Sequence, residues 1–262
     1  MRITDTKAAQ SELIAALRKH PDDVNARLQL FRFAVIDGNW DRAGTQLDAA
    51  ESLDASLAHT AMVYRRNIAC ERRRASVFTM GAAPVFLGEP PAWAGYLAQA
   101  LMRTGEDGAE LAMAALEEAQ AVGGTINGQS FAWLADADNR LGPMLEAFID
   151  GHYYWVPFEH LAGIAIQPPD DLLDLAWCPC ELTLSNGGSC NAYIPTRYPA
   201  TDGTQRDELK LARLTEWQAW AGDMQKGLGQ RVFVTDRDEY ALLDCRDIRF
   251  DVRFAPGGAL LS

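Results

Sequence analysis

The sequence predicts an α+β protein, with helical hairpins over residues 1–125 and a mostly antiparallel, β-rich domain with one packed helix over residues 126–262. Three observations carry this reading. Apolar residues in the first half recur every three or four positions, the spacing of one helix face. In the second half the pattern shortens to strand-like runs divided by Asp-Gly and Asn-Gly pairs, which are hairpin-turn signals. Composition also shifts at Gly123-Gly124. Residues 1–125 hold 13 basic and 16 acidic residues, a net of −3, whereas residues 126–262 hold 11 and 20, a net of −9. Five of the seven Trp and five of the seven Tyr lie in the second half, so acidity and aromatic character coincide there.

In the first half, Ser11 is placed to cap a helix carrying Leu13, Ile14 and Leu17 and ending before Pro21. Asp22 or Asp23 starts another, with Val24, Leu28, Phe31 and Val35 along one face. Gly38-Asn39 stops it, and Trp40, Ala43, Leu47 and Ala50 begin a partner at once. So short a break forces the two helices antiparallel. Ala43, Leu47 and Ala50 recur as Ala112, Leu116 and Ala119, an offset near twice the roughly 34-residue tetratricopeptide period. Small residues at such sites let helices approach closely. The predicted N-terminal architecture is therefore a set of tetratricopeptide-like helical hairpins.

The second half opens with a hairpin at Asp150-Gly151, between Leu145–Ile149 and His152–Val156. A second turns at Asn186-Gly187, between Leu182–Leu184 and Ala192–Ile194. Arg231–Val234 and Tyr240–Leu243 also read as strands. A helix is predicted ahead of them, from Asp207 to Trp217, with Leu209, Leu211 and Leu214 on its apolar face. Gly227-Leu228-Gly229-Gln230-Arg231 lacks the Lys-Ser/Thr of a phosphate loop and reads as a loop or bulge before the next strand.

Hydrophobic residues make up 48% and charged residues 23%, the balance of a folded chain. A net charge of −12 argues against general binding to nucleic acid or anionic membranes, which depends on Lys and Arg meeting phosphate. No run of about eighteen apolar residues spans a bilayer, and MRITDTKAAQ is not followed by the apolar stretch of a secretory signal. Five cysteines, an odd count, do not suit a secreted disulfide framework. The expected compartment is the cytoplasm.

Chemistry-bearing motifs are few. Cys178-Pro179-Cys180 with Cys190 admits a metal cluster completed by His152 or His160. However, structural zinc sites favour wider Cys spacing and a second matched pair. No metal or other cofactor is expected. Asp136 and Asp138 are candidates for acid–base work, since alternation would put both on one strand face. Acids around a turn are more often solvated or capping groups, and no G-x-S-x-G elbow is present. No catalytic residues are assigned. Arg65, Arg66, Arg72, Arg73 and Arg74 form the one strongly basic cluster. They read as a solvated helix face paired with nearby acids, or else as an anchor for an acidic peptide. Tyr153-Tyr154-Trp155 puts large rings on both faces of one strand, so both faces are covered or a ring is left for a partner.

The C-terminal half resembles the ImpE/SciE/TagJ family. The likeness rests on Trp133-Leu134-Ala135-Asp136-Ala137-Asp138-Asn139-Arg140-Leu141-Gly142-Pro143, on Gly151–Phe158, on Pro195-Thr196-Arg197-Tyr198-Pro199, and on Thr215-Glu216-Trp217. Gly227–Arg231 followed by Thr235-Asp236 extends it. The resemblance implies a cytoplasmic accessory protein of a bacterial type VI secretion system, without enzymatic activity. It further implies a partner in the small subunit of the contractile sheath, and a link to sheath assembly or to disassembly by the ClpV ATPase. It does not say which residues touch that partner. Asp136, Asp138 and Arg140 are read as a structural motif: a turn held by side-chain-to-backbone bonds, with a buried Arg–carboxylate pair at Arg140. Arg197 admits a similar internal pairing. Exposed members of the motifs are favoured for partner contact, with Trp155, Arg197 and Tyr198 named. Two other readings stand beside this one. One is a hydrolase using Asp136 and Asp138 with His152 or His160. The other is a peptide-binding repeat module outside secretion, anchored on Arg65 to Arg74.

Overall fold

The computed structural model describes residues 6–103 and 105–251. Six helices come first: α1 (Thr6–Lys19), α2 (Val24–Ile36), α3 (Trp40–Leu53), α4 (Ala58–Met80), α5 (Ala92–Ala100) and α6 (Glu106–Glu118). Asp23 caps α2 by accepting the Ala26 N–H at 3.0 Å, and Asn39 caps α3 by accepting that of Arg42 at 3.1 Å. Gly38 takes φ +66° in the turn between them. The antiparallel α2–α3 pair is thus set by local chemistry, as the sequence predicts. Helix α1 differs: it begins at Thr6, and Ser11 lies inside it, its hydroxyl donating to the Lys7 carbonyl. The Thr6 N–H and hydroxyl both bond the Asp207 carboxylate, a partner 201 residues away that no local rule could supply. Ala43, Leu47, Ala50 and Ala112 are all buried, the small residues admitting close helix contact.

The strands are β1 (Gly124–Ile126), β2 (Gln129–Phe131), β3 (Leu134–Asp136), β4 (Met144–Ile149), β5 (His152–Pro157), β6 (Leu161–Ile166), β7 (Trp177–Leu184) and β8 (Ser189–Pro195). After a short helix α7 (Asp207–Lys210) come β9 (Thr215–Ala221), β10 (Met224–Gly229), β11 (Val232–Thr235), β12 (Glu239–Ala241) and β13 (Asp247–Phe250). An eight-stranded sheet runs β2-β1-β13-β6-β7-β8-β4-β5, a three-stranded sheet runs β12-β11-β3, and β9 pairs with β10; all these pairings are antiparallel.

The eight-stranded sheet is covered on both faces. Phe148, Tyr153, Trp155 and Trp177 join the helical core with Phe31, Val35, Leu47 and Leu97. Leu145, Val156, Ile164 and Ile194 form a second core with Phe233 and Leu242. The alternation in Tyr153-Tyr154-Trp155 is resolved accordingly: Tyr153 and Trp155 face the helices, and half-buried Tyr154 packs on the other side. The turn between β4 and β5 is the predicted hairpin, with φ +49° at Asp150 and +80° at Gly151, as a primed turn requires. The Asn186-Gly187 turn joins β7 to β8.

Two expectations for residues 207–230 are corrected. The helix stops at Lys210, and Ala212 at φ +51° turns the chain so that Thr215–Ala221 is a strand. Leu209 and Leu211 are buried as the helix pattern requires, but Leu214 is exposed. Gly227 to Gly229 are likewise strand residues, in β10. The glycine at 227 is needed for contact: a Cβ there would lie 2.1 Å from Tyr198 Cδ2.

Candidate functional site

The recognised motifs converge on a buried network of charges. Arg74, Arg140, Arg197 and Arg231 are enclosed with Glu71, Asp136, Asp138 and Glu146. Glu146, on β4, is the hub. It accepts from Arg74 Nε at 2.7 Å, from Arg74 Nη2 at 2.9 Å, from Arg231 Nη2, and from the Tyr153 hydroxyl. Trp155 Nε1 donates to that hydroxyl at 2.6 Å. Burial alone would raise the Glu146 carboxyl, but the guanidinium groups of Arg74 and Arg231 overcome it and hold the acid at about 2. Asp136 behaves oppositely: burial pushes it up to about 6, which Arg231 opposes and neighbouring Asp138 reinforces. The two acids share Arg231, but only Glu146 has a second arginine. Glu71, raised by burial, accepts from Trp177 Nε1 at 2.9 Å.

Beyond β3 the chain turns through side-chain-to-backbone bonds. Asp136 accepts the Asp138 N–H, and Asp138 accepts the N–H groups of Arg140 and Gly227. Arg140 Nε also donates to Asp138 at 2.9 Å, and its guanidinium lies 5.0 Å from the Phe78 ring centre. Asp138 is outside the strand, so alternation does not relate it to Asp136.

Arg197 pairs with no carboxylate among the described residues, contrary to the pairing considered for it. It donates to the carbonyls of Val35 and Ile36 at the end of α2, and to that of Lys210. A cation there meets the negative end of the helix dipole. Tyr198 donates to Asp136 at 2.8 Å and accepts the Val232 N–H at 3.0 Å. The expectation that Trp155, Arg197 and Tyr198 stand exposed is not met, since their exposures are 0%, 5% and 1%. Hydrogen bonding explains it: Trp155 Nε1, both Arg197 Nη groups and the Tyr198 hydroxyl find partners inside the chain, and the rings supply apolar area to the core. Arg197 and Tyr198 do line a cavity of about 230 Å³ beside Trp40, Phe78 and Pro199.

The groups named for hydrolysis are dispersed. His152 is exposed at the start of β5, near Tyr154, and His160 Nδ1 lies 3.1 Å from the Leu87 carbonyl oxygen. Among the described residues no hydrogen bond or ion pair joins either histidine to Asp136 or Asp138. Burial pushes the thiols of Cys70, Cys178 and Cys245 up to about 12, and that of Cys180 well above its ordinary value, away from the thiolate form a nucleophile role needs.

In the arginine cluster, Arg65 pairs with Asp48 and Glu51, Arg72 pairs with Asp41, and Arg73 donates to the Ala83 carbonyl. Arg74 belongs to the buried network. Arg66 alone has no hydrogen-bonding or ionic partner among the described residues.

Two of the surface clefts combine an exposed or unpaired side chain with an apolar lining. One, of about 410 Å³, lies between the chain following α6 and the three-stranded sheet. Leu116, Val122, Phe158 and Val234 line it, with Trp133 at its mouth, 38% exposed. Glu239 stands on its rim. Sequence reasoning passed over Trp133, although it heads the first family motif; its exposure was the missing signal. The other cleft, of about 560 Å³, lies between α4 and the junction of β4 with β8, and includes Arg66 and Asn67.

Comparison with known proteins places this geometry in context. The family model described as ImpE protein matches residues 128–249. A protein of Pseudomonas aeruginosa strain PAO1, described as type VI secretion system accessory component TagJ, is 41% identical over 254 residues, covering 95% of this chain and 88% of that protein. The X-ray crystal structure of protein VPA1032 from Vibrio parahaemolyticus superposes with a TM-score of 0.85 at 25% identity, covering 95% of this chain and 94% of the other.

Proposed function

The chain belongs to the ImpE/SciE/TagJ family, and from that premise we propose that it is an accessory component of a bacterial type VI secretion system. Its role is binding: in the cytoplasm it captures a short segment of the small sheath subunit, and so acts in sheath assembly or in recycling by the ClpV ATPase. No helix of the described residues is long and apolar enough to cross a membrane, which accords with that location.

The observation that carries the reading is Trp133 at the mouth of an apolar cleft, within the part of the chain that matches the family. Large aromatic side chains beside apolar pockets dominate interface energy. An amphipathic helix fits such a cleft, because a helix satisfies its own backbone groups and asks its site only for apolar contact. Glu239 on the rim, with Glu117 and Glu118 after Leu116 on α6, favours a segment with basic residues on its flanks.

The test is a calorimetric titration of the full chain with the N-terminal segment of the small sheath subunit from the same secretion cluster. Micromolar or tighter binding is expected for the wild type. Trp133→Ala should weaken it by about 30-fold, the equivalent of an anchor worth about 2 kcal/mol. No binding by the wild type overturns the choice of partner; full binding by the variant overturns the choice of cleft.

A further inference from the structure

We infer that the cleft between α4 and the β4–β8 junction is a second peptide site, which takes an extended segment with one carboxylate for Arg66 and one cation for Glu181. The inference does not depend on the sheath reading or on the Trp133 cleft.

Three features point to it. Asn67, at the base of the cleft, is 3% exposed, and its amide forms no hydrogen bond among the described residues; the Nδ2 atom is fully buried. An unpaired buried amide costs about 1–3 kcal/mol. A carboxamide offers one donor face and one acceptor face, which matches a peptide group. A helix has no free peptide groups along its length, whereas an extended chain presents them at every second residue, so the complementary ligand is extended.

The second feature is the edge of β8. This strand pairs with β7 from Ser189 to Pro195, but with β4 at one position, Phe148 opposite Tyr193. Beyond Tyr193, the Ser189–Asn191 stretch has no strand on its β4 side among the described residues, and Asn191 and Ala192 line the cleft. An uncovered edge is the template for strand addition.

The third is charge. Arg66 is the one arginine of its cluster left without a partner, and its aliphatic stem packs over the Gly151 turn at one wall of the cleft. Glu181, across the sheet from Asn191, also has no partner among the described residues. An uncommitted cation and an uncommitted carboxylate in one cleft select a segment carrying both signs. A purely acidic peptide would meet Glu181 and Asp150 unfavourably.

The probe is the acetylated, amidated nonapeptide Thr-Val-Glu-Val-Thr-Val-Lys-Val-Thr, with its Glu/Lys-exchanged isomer to cover both strand directions. Binding to the full chain is followed by backbone and side-chain amide shifts. At least one isomer should bind with a Kd below 1 mM and shift the Asn67 and Asn191 signals. Asn67→Ala should weaken binding at least tenfold without lowering the Tm, because it removes an amide with no partner in the free protein. Arg66→Glu should weaken it similarly, and a peptide with Lys in place of Glu should restore it. Trp133→Ala should leave it unchanged. Absence of binding at 1 mM, shifts confined elsewhere, indifference to both cleft substitutions, or equal binding by a lactam-bridged helical form of the same peptide would each overturn the inference.

Discussion

Replacing Glu146 by Gln tests the buried network at its hub. The substitution keeps the shape and leaves Arg74 and Arg231 facing each other with one counter-charge fewer. Both guanidinium groups are enclosed, Arg231 completely and Arg74 with its side chain 6% exposed. Removing one partner of a buried ion pair costs about 3–5 kcal/mol. A second route to the magnitude agrees. A carboxyl held at about 2 instead of its ordinary 4.5 contributes roughly 3 kcal/mol at neutral pH. In a chain of this length that corresponds to a fall of about 6–10 °C in Tm. The depressed pKa also fixes the pH dependence. The contribution is complete above pH 4.5 and is lost as pH falls towards 2, so by pH 3 the gap between wild type and variant should shrink by about 2 kcal/mol. Urea unfolding of both proteins at pH 7 and pH 3 measures it. A variant within 1 kcal/mol of wild type at pH 7, or a gap that does not change with pH, would refute the reasoning.

Other outcomes follow from neighbouring groups. Asp136, held up at about 6, should contribute stability below its ordinary 3.8 and lose it as pH rises through 6; carbon-13 NMR of the carboxyl should find its midpoint near 6. Gly227→Ala should cost about 1–3 kcal/mol through collision with the Tyr198 ring, read as a lowered Tm, and a neutral result would show that the ring moves freely. Arg197→Met should cost about 2–4 kcal/mol by stranding the carbonyls of Val35, Ile36 and Lys210; denaturant midpoints would show it. Binding of the sheath segment should weaken as salt rises from 50 to 500 mM, and calorimetry finding no change would remove the electrostatic contribution of the Glu239 rim.

By itself the sequence determined what neighbours in the chain can decide. The α2 and α3 caps, the Gly38 break and the Asp150-Gly151 turn depend on groups a few residues apart, so period and turn chemistry sufficed to place them. The family motifs were equally legible, because order and spacing are properties of the chain. Tertiary structure decided the rest. The leucines after Asp207 suit a helix, but the pairing of β9 with β10 and the Ala212 turn end it at Lys210. Trp155, Arg197 and Tyr198 have the composition of an interface, yet they are enclosed because distant segments pack on them: Phe78 and Phe86 meet the Trp155 ring, and Arg197 reaches carbonyls 161 and 162 positions away. Arg74 and Arg66 are indistinguishable as letters in one basic run. The first meets Glu146, 72 residues on, and becomes part of the core, whereas the second has no hydrogen-bonding or ionic partner among the described residues. A side chain's residue type sets what it can bond, but only packing brings it a partner or leaves it without one, and that difference separates a structural residue from a candidate for binding.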